Sequence, residues 1–172
     1  LHVDNLNPNS AILLTGSNMG NRLHHLQQAA KSIAFEIGKV EKYSAVYETS
    51  AWGNTQQPAF LNQALLIETK LSPDELLTKI LHIETSMGRE RKVRWESRII
   101  DIDILFYGSE ISQNKYLTIP HPEIPNRRFV LEPLNEIVPD LIHPQLHKTI
   151  RQLLNECNDL LAVTKLNSHV QK

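Results

Sequence analysis

The nine residues Ile99–Tyr107, IIDIDILFY, restrict this chain more than any other stretch. Isoleucine and aspartate alternate with the two-residue period of a β-strand, so Ile100, Ile102 and Ile104 share one face. Asp101 and Asp103 share the other, roughly 7 Å apart along the strand. Such a strand needs an apolar core on one side and, on the other, something that offsets two like charges that are costly to bury unpaired. Two arrangements meet that need. The acids pair with arginines on a half-exposed sheet face, or they hold a divalent cation; Mg²⁺ takes one or two carboxylates together with water and phosphate oxygens. The Asp-x-Asp spacing alone does not choose between them.

The rest of the chain supplies a sheet for that strand. Ala11–Thr15 is an apolar run closing on Gly16-Ser17-Asn18, a buried strand entering a turn. Apolar residues recur at helical spacing from Arg22 to Ile37, with Gly38 as the expected stop. Val40–Thr49 and Phe60–Thr69 read as strands, the second with Leu61, Leu65 and Ile67 opposite Asn62; Ser50–Pro58 between them reads as a loop. Ser72-Pro73-Asp74-Glu75 is a helix start, and that helix ends near Gly88. Tyr116–Pro125 holds three prolines and should be extended and irregular. Helices around Val130–Ile137 and Thr149–Leu161 complete the chain. The order strand–helix–strand–strand–helix–strand predicts an α+β, ferredoxin-like fold: a mainly antiparallel sheet, helices packed on it, and a C-terminal helical elaboration. Residues 1–10 read as a poorly ordered extension and 11–165 as one domain.

With 18 Lys+Arg against 19 Asp+Glu, the formal net charge is −1, which argues against a globally basic nucleic-acid binder and against an acidic disordered chain. One cysteine, Cys157, can form neither an internal disulfide nor a cysteine zinc cluster. No apolar run approaches the roughly 20 residues of a membrane span, and LHVDNLNPNS is polar where a signal peptide is apolar. The expectation is a soluble, cytoplasmic protein.

The near-neutral average conceals a local excess. In Arg89–Arg98 the cations Arg89, Arg91, Lys92, Arg94 and Arg98 outnumber Glu90 and Glu96 by three. Arginine forks suit phosphate oxygens, and arginines beside cation-binding carboxylates are the apparatus of phosphoryl transfer. Asn126-Arg127-Arg128 adds cations beyond His121, the one histidine of eight to which the sequence assigns a functional part. Gly16–Asn21 lacks the Lys of a phosphate-binding loop and reads as a strand-to-helix turn capped by Asn or Ser. Trp52, Phe60, Trp95 and Phe129 lie in or beside polar segments; they either sandwich a flat heteroaromatic ligand or pack beneath loops.

Four blocks, LLTGSNMGN, YETSAWG with QPAFLNQAL, IETSMGRERKVRWESRIIDIDILFYG and LTIPHPEIPNRRFVLEPLNEIVP, together resemble the 6-hydroxymethyl-7,8-dihydropterin pyrophosphokinase family of folate biosynthesis, from about Ala11 to Leu160. The resemblance implies transfer of the diphosphate of MgATP to the hydroxymethyl group of 6-hydroxymethyl-7,8-dihydropterin, releasing AMP. It implies that Asp101 and Asp103 hold two Mg²⁺ ions, and that Arg89 and Arg98 stabilise charge as the β-phosphorus is displaced. Arg91, Arg94 and Trp95 match a loop that closes over the site. Glu84, Arg91, His121 and Arg127 match ATP contacts, with Ile104 and Thr118 lining the adenine pocket. Phe60 and Phe129 match the pair that sandwiches the pterin, Thr49 and Asn62 its hydrogen-bonding edge, and Ser50, Trp52 and Trp95 lie beside it. The chain departs from some members in Phe60, where they have Tyr, and in Tyr116 and Pro122, where they have Arg and Tyr.

The implied partners are small molecules, ATP and the pterin, acting on a monomer with no nucleic acid and no membrane. A metal-dependent nuclease would want a broad basic surface, and an RNA-binding module would want exposed aromatics on its central strands. The sequence offers one localised basic cluster and an isoleucine-rich strand.

Overall fold

In the computed structural model, which describes residues 5–50, 58–88 and 98–166, the Ile/Asp alternation becomes strand β5 (Asp101–Tyr107). The strands before it are β1 (Ser10–Ser17), β2 (Gly38–Tyr43), β3 (Tyr47–Thr49) and β4 (Phe60–Thr69). They form one antiparallel sheet in the order β5-β1-β4-β3, with β2 also on β4. Helix α1 (Arg22–Glu36) follows β1 and α2 (Pro73–Ser86) follows β4. This is the expected ferredoxin-like arrangement, with the first and third core strands central.

Local chemistry sets the helix starts. The Asn21 side chain accepts the His24 N–H at 3.1 Å and opens α1. On α2, Ser72 and Glu75 form a reciprocal capping box in front of Pro73. Gly38 acts differently from its expected part as a helix stop. It is the first residue of β2, and a Cβ there would lie 2.1 Å from the Glu68 carbonyl oxygen, so it lets β2 approach β4.

The strand expected over Val40–Thr49 is broken at Ser44. Tyr43 pairs with Leu65 and Tyr47 with Asn62, which leaves one extra residue on the edge chain. Ser44 fills the gap itself: its N–H donates to the Ala64 carbonyl and its Oγ accepts the Ala64 N–H, both at 2.9 Å.

Two apolar layers flank the sheet. Ala11, Leu13, Leu65, Ile67, Ile102 and Ile104 pack with α1 and α2 on one face. Ile12, Leu14, Ala64, Leu66, Leu105 and Phe106 pack on the other with α3 (Arg128–Ile137) and α4 (Ile150–Glu156). The C-terminal elaboration therefore covers the face opposite the core helices. It is also shorter and more varied than expected. After α4 the Leu161 N–H bonds to Asp159 Oδ1, which turns the chain out of helix, and β8 (Val163–Lys165) pairs with β3. The proline-rich stretch holds β7 (Thr118–Ile119), paired with β6 (Ser112–Gln113), and a 3₁₀ turn at Ile124–Asn126. At the other end, Leu6 is buried in the second layer and the Asn9 carbonyl accepts the Thr69 N–H, so packing begins before Ala11.

Candidate active site

The α3-side face of the sheet ends in a row of polar residues. Gly16 on β1 is register partner to Asp101 on β5 and to Asn62 on β4, and Asn62 in turn partners Tyr47. With strands about 4.8 Å apart, the acid and the amide stand about 10 Å apart across a residue with no side chain. A Cβ on Gly16 would lie 2.9 Å from Asn62 Oδ1, so the glycine keeps this space open. Asp103 stands one step further along the same face, opposite Leu14.

The amide end of the row is fixed. Asn62 and Thr49 are both buried, and Asn62 Nδ2 donates to Thr49 Oγ1 at 3.2 Å. Phe60 is register partner to Thr49 and half-buried, while Ser50 follows β3 on the surface. Phe129, on the first turn of α3, is half-buried against the second core layer. The Arg127 guanidinium lies 5.8 Å from its ring centroid and reaches Glu123 at 3.6 Å.

The acid end gathers three carboxylates, Asp101, Asp103 and Glu84. Burial first, then Asp101 and Glu84, push the Asp103 carboxyl up to about 7, against the pull of Arg98 and Arg127. Arg98 pairs with Asp101 through its guanidinium, and its backbone is held by Asn18, whose Oδ1 accepts the Arg98 N–H at 2.7 Å. Glu84 is buried, and one of its oxygens accepts the Ile102 N–H at 2.8 Å, bracing β5 between its two aspartates. His121 continues that edge, donating its N–H to the Leu105 carbonyl at 2.9 Å. Burial, with Arg127 adding to it, lowers the His121 pKa against the opposing pull of Glu123 and Asp101. Its Nδ1 accepts the Glu123 N–H at 3.2 Å, which assigns the proton of the neutral ring to Nε2.

Among the described residues, no group of three or more His, Cys, Asp or Glu is arranged to hold a metal ion. The candidate donors among the described residues are then the two aspartates, with the Asp103 carboxyl pushed towards protonation by burial first and by its acidic neighbours second. That fits a cation completed by water and phosphate oxygens, as Mg²⁺ prefers, and does not fit a closed protein cage.

The structure thus gathers Thr49, Phe60, Asn62, Asp101 and Asp103 on one face, with Arg98, His121, Arg127 and Phe129 placed by the elements around it. Ile104 is turned away: alternation buries its side chain in the α1/α2 layer at 4% exposure, leaving its backbone at the sheet edge. Thr118 sits half-buried on β7, which packs against β5. Arg128 is not a spare cation for phosphate, since its guanidinium bonds Glu132 and the carbonyls of Cys157 and Asp159. Trp52, Arg89, Arg91, Arg94 and Trp95 lie outside the described residues. Two site-building residues escaped the sequence reading, Gly16 and Asn18; the signal available was a glycine ending an apolar strand, and it was read as turn chemistry. A cavity of about 560 Å³ lined by Asn18, Arg22, Glu48 and Ala59 is not lined by the acids. Its Arg22 is already engaged, by Glu48 at 2.8 Å and the Ala59 carbonyl at 2.7 Å.

Comparison with known proteins joins this geometry to a chemistry. Residues 12–139 match the family described as 7,8-dihydro-6-hydroxymethylpterin-pyrophosphokinase. A 2-amino-4-hydroxy-6-hydroxymethyldihydropteridine pyrophosphokinase of Aquifex aeolicus is 42% identical over 141 residues, covering 82% of this chain and 88% of the relative. The enzyme of that name from Methylorubrum extorquens is 45% identical over 134 residues, covering 77% and 84%. A solved structure titled as HPPK-DHPS in complex with substrates superposes with a TM-score of 0.69 at 19% identity, over 87% of this chain. At that identity the likeness speaks for the fold alone, and this chain spans 43% of that protein's length. The chain belongs to the 7,8-dihydro-6-hydroxymethylpterin-pyrophosphokinase family, whose reaction is pyrophosphoryl transfer to hydroxymethyldihydropterin in folate biosynthesis, with ATP as co-substrate.

Proposed function

We propose that the two ends of the Asp101–Gly16–Asn62 row bind the two substrates, the acids taking MgATP and the amide taking the pterin. The observation that carries this is the register itself, which sets the Asp101/Asp103 pair and a buried, hydrogen-bonded Asn/Thr edge about 10 Å apart on one sheet. Asp101 and Asp103 would hold two Mg²⁺ ions, which when bound would supply neutralising charge for the ATP phosphates and ease loss of the proton from the attacking hydroxyl.

The chain's own residues then have distinct tasks. Asn62 and Thr49, with the backbone at Ser50, meet the polar edge of the pterin, and Phe60 and Phe129 stack on its faces. Phe60 keeps the stacking surface of the Tyr found in some relatives and lacks its hydroxyl. Arg127 and His121, donating from Nε2, meet phosphate oxygens. The hydroxymethyl oxygen bonds to the β-phosphorus as the bond from that phosphorus to the α–β bridging oxygen breaks; AMP leaves with the bridging oxygen. Arg98, held by Asn18 behind and paired with Asp101 in front, can turn its guanidinium towards the charge that develops there. Glu84 braces β5, and the backbone at Ile104 with Thr118 borders the adenine. Roles for Arg89, Arg91, Trp52 and Trp95 rest on the resemblance alone. The working unit is read as a single chain, and the buried lone cysteine suits a reducing, cytoplasmic setting. Among the described residues no helix is long and apolar enough to cross a membrane.

The test is AMP formation from ATP and 6-hydroxymethyl-7,8-dihydropterin by Asp101→Ala and Asp103→Ala, with calorimetry of a non-hydrolysable ATP analogue with and without Mg²⁺. Turnover should disappear in both variants while the fold persists, because neither change opens a core cavity. Wild-type rates in both, or Mg²⁺-independent nucleotide binding, would remove the basis of the assignment.

A further inference from the structure

Helix α3 presents Phe129 and begins directly after Arg127, yet its own N-terminus does not fix it. Arg127 holds the N-cap position with extended backbone and makes no side-chain cap. The cap comes from 31 positions away: the Arg128 N–H donates to Asp159 Oδ2 at 3.0 Å. The Arg128 side chain turns to the same segment, Nε donating to the Asp159 carbonyl at 3.0 Å and NH2 to the Cys157 carbonyl at 3.3 Å. Its NH1 reaches Glu132 at 3.3 Å, one turn along α3. Asp159 is itself held, since its Oδ1 accepts the Leu161 N–H at 3.0 Å. Three hydrogen bonds thus tie the residue between Arg127 and Phe129 to the segment that follows α4.

We propose that Asp159, acting through Arg128, is a positioning residue for substrate binding. The segment after α4 sets where the Phe129 ring stacks and where Arg127 points. The inference rests on the assignment of Phe129 to the pterin and Arg127 to ATP. An anionic acceptor at a helix N-terminus is well placed to fix the first turn, and a misplacement of about 1 Å at a binding group costs up to about 10²-fold in rate.

The experiment compares Asp159→Ala, Asp159→Asn, Phe129→Ala and the Asp159→Ala/Phe129→Ala double variant. KM for the pterin and kcat are measured by AMP formation at saturating ATP, with thermal melts to show that each variant is folded at the assay temperature. Asp159→Ala should raise the pterin KM about tenfold with a smaller change in kcat. Asp159→Asn keeps an oxygen for the Arg128 N–H and should return KM to within about threefold of wild type. In the Phe129→Ala background, removing Asp159 should add less than about twofold, because the ring it positions is gone. Should Asp159→Ala be unfolded, Arg128→Lys, which leaves the cap and removes the fork, should still raise KM by about threefold. A lowered melting temperature with unchanged pterin KM, or additive effects in the double variant, overturns the inference. An unchanged KM in Phe129→Ala overturns the site assignment and this inference with it. A raised KM there beside an unchanged one in Asp159→Ala overturns this inference alone.

Discussion

Gly16→Ala is the smallest change that tests whether the polar row is a binding floor. The added methyl would sit 2.9 Å from Asn62 Oδ1, where ordinary contact begins at 3.4 Å, so the amide must give way by about half an ångström. Asn62 cannot do so freely, because β3 lies on its other side and its Nδ2 is already bonded there to Thr49 Oγ1 at 3.2 Å, so the shift disturbs that bond. Overpacking of this kind costs about 1–3 kcal/mol, and the loss of a glycine's freedom in the unfolded chain returns about 0.4–1 kcal/mol. The protein therefore stays folded, on a typical stability of about 5–15 kcal/mol. Binding suffers more specifically. An amide moved off the pterin edge should raise the pterin KM by about 10- to 100-fold, or about 1.4–3 kcal/mol. ATP-analogue affinity should change by less than about twofold, since the acids on β5 are not displaced. Steady-state AMP formation with each substrate varied in turn gives the two numbers. The control is Gly16→Ala in an Asn62→Ala background, where the methyl meets no amide and should cost nothing further. An unchanged pterin KM in the folded single variant, or the same penalty in both backgrounds, refutes the reasoning.

The remaining predictions concern charge and fold. Burial, with nearby His147, holds the His143 pKa below 6.5; its Nδ1 accepts the N–H groups of Gln145 and Leu146, and its ring packs 5.5 Å from Phe106. Below pH 6.5 the unfolded chain takes the proton first, so this contribution is complete above that pH and declines as pH falls. His121 acts in the same sense and Asp103 in the opposite one, so His143→Gln should lose less urea stability than wild type between pH 7.5 and 5.5; parallel lines contradict this. Asp103, at about 7 against 3.8 in an ordinary chain, weakens the fold as pH rises through that window. Asp103→Asn should therefore be more stable than wild type at pH 8 without Mg²⁺ by about 1–3 kcal/mol, with the gap closing near pH 4. Added Mg²⁺ should raise the wild-type Tm above any effect on the variant, and identical Mg²⁺ responses speak against a cation there. Gly38→Ala drives a methyl into the Glu68 carbonyl and should cost about 3 kcal/mol by urea titration; a loss under about 1 kcal/mol refutes the close-approach account.

What the sequence disclosed follows from how local each signal is. The Ile/Asp alternation, the Ser72–Glu75 box and the Asn21 cap involve neighbours within four residues, and each appears where the pattern places it. The break at Ser44 depends on a backbone 20 positions away on β4, and no periodicity in Val40–Thr49 announces it. β8 has three residues with no alternation and exists because β3 offers an edge. Glu84 enters the sequence reading only through the resemblance, as an ATP contact; its burial against the N–H groups of an edge strand is something only the assembled sheet reveals. Gly16 looked like turn chemistry because its other role, absence beside Asn62, requires knowing which strand lies next to it.

The position of the site follows from a gradient repeated on three neighbouring strands. On the α3-side face β1 runs from Ile12 and Leu14 to Gly16, and β4 from Leu66 and Ala64 to Asn62. β5 runs from Phe106 and Leu105 to Asp103 and Asp101, and the register shift opposite Ile12 and Leu13 is what turns both Leu105 and Phe106 into this layer. Each strand is thus apolar at one end and polar at the other, and antiparallel pairing aligns the ends. Val130, Leu131 and Leu134 of α3, with Ile150 and Leu153 of α4, cover the apolar half, where burial is favourable at about 25 cal/mol per Å². They have no reason to advance over the acids and the amide, whose desolvation without partners costs more than the contact returns. The polar half is left for ligands that bring their own charge and hydrogen bonds. Moving that boundary by one residue, as Asn62→Leu would, should draw apolar packing onto the pterin end and trade binding for stability.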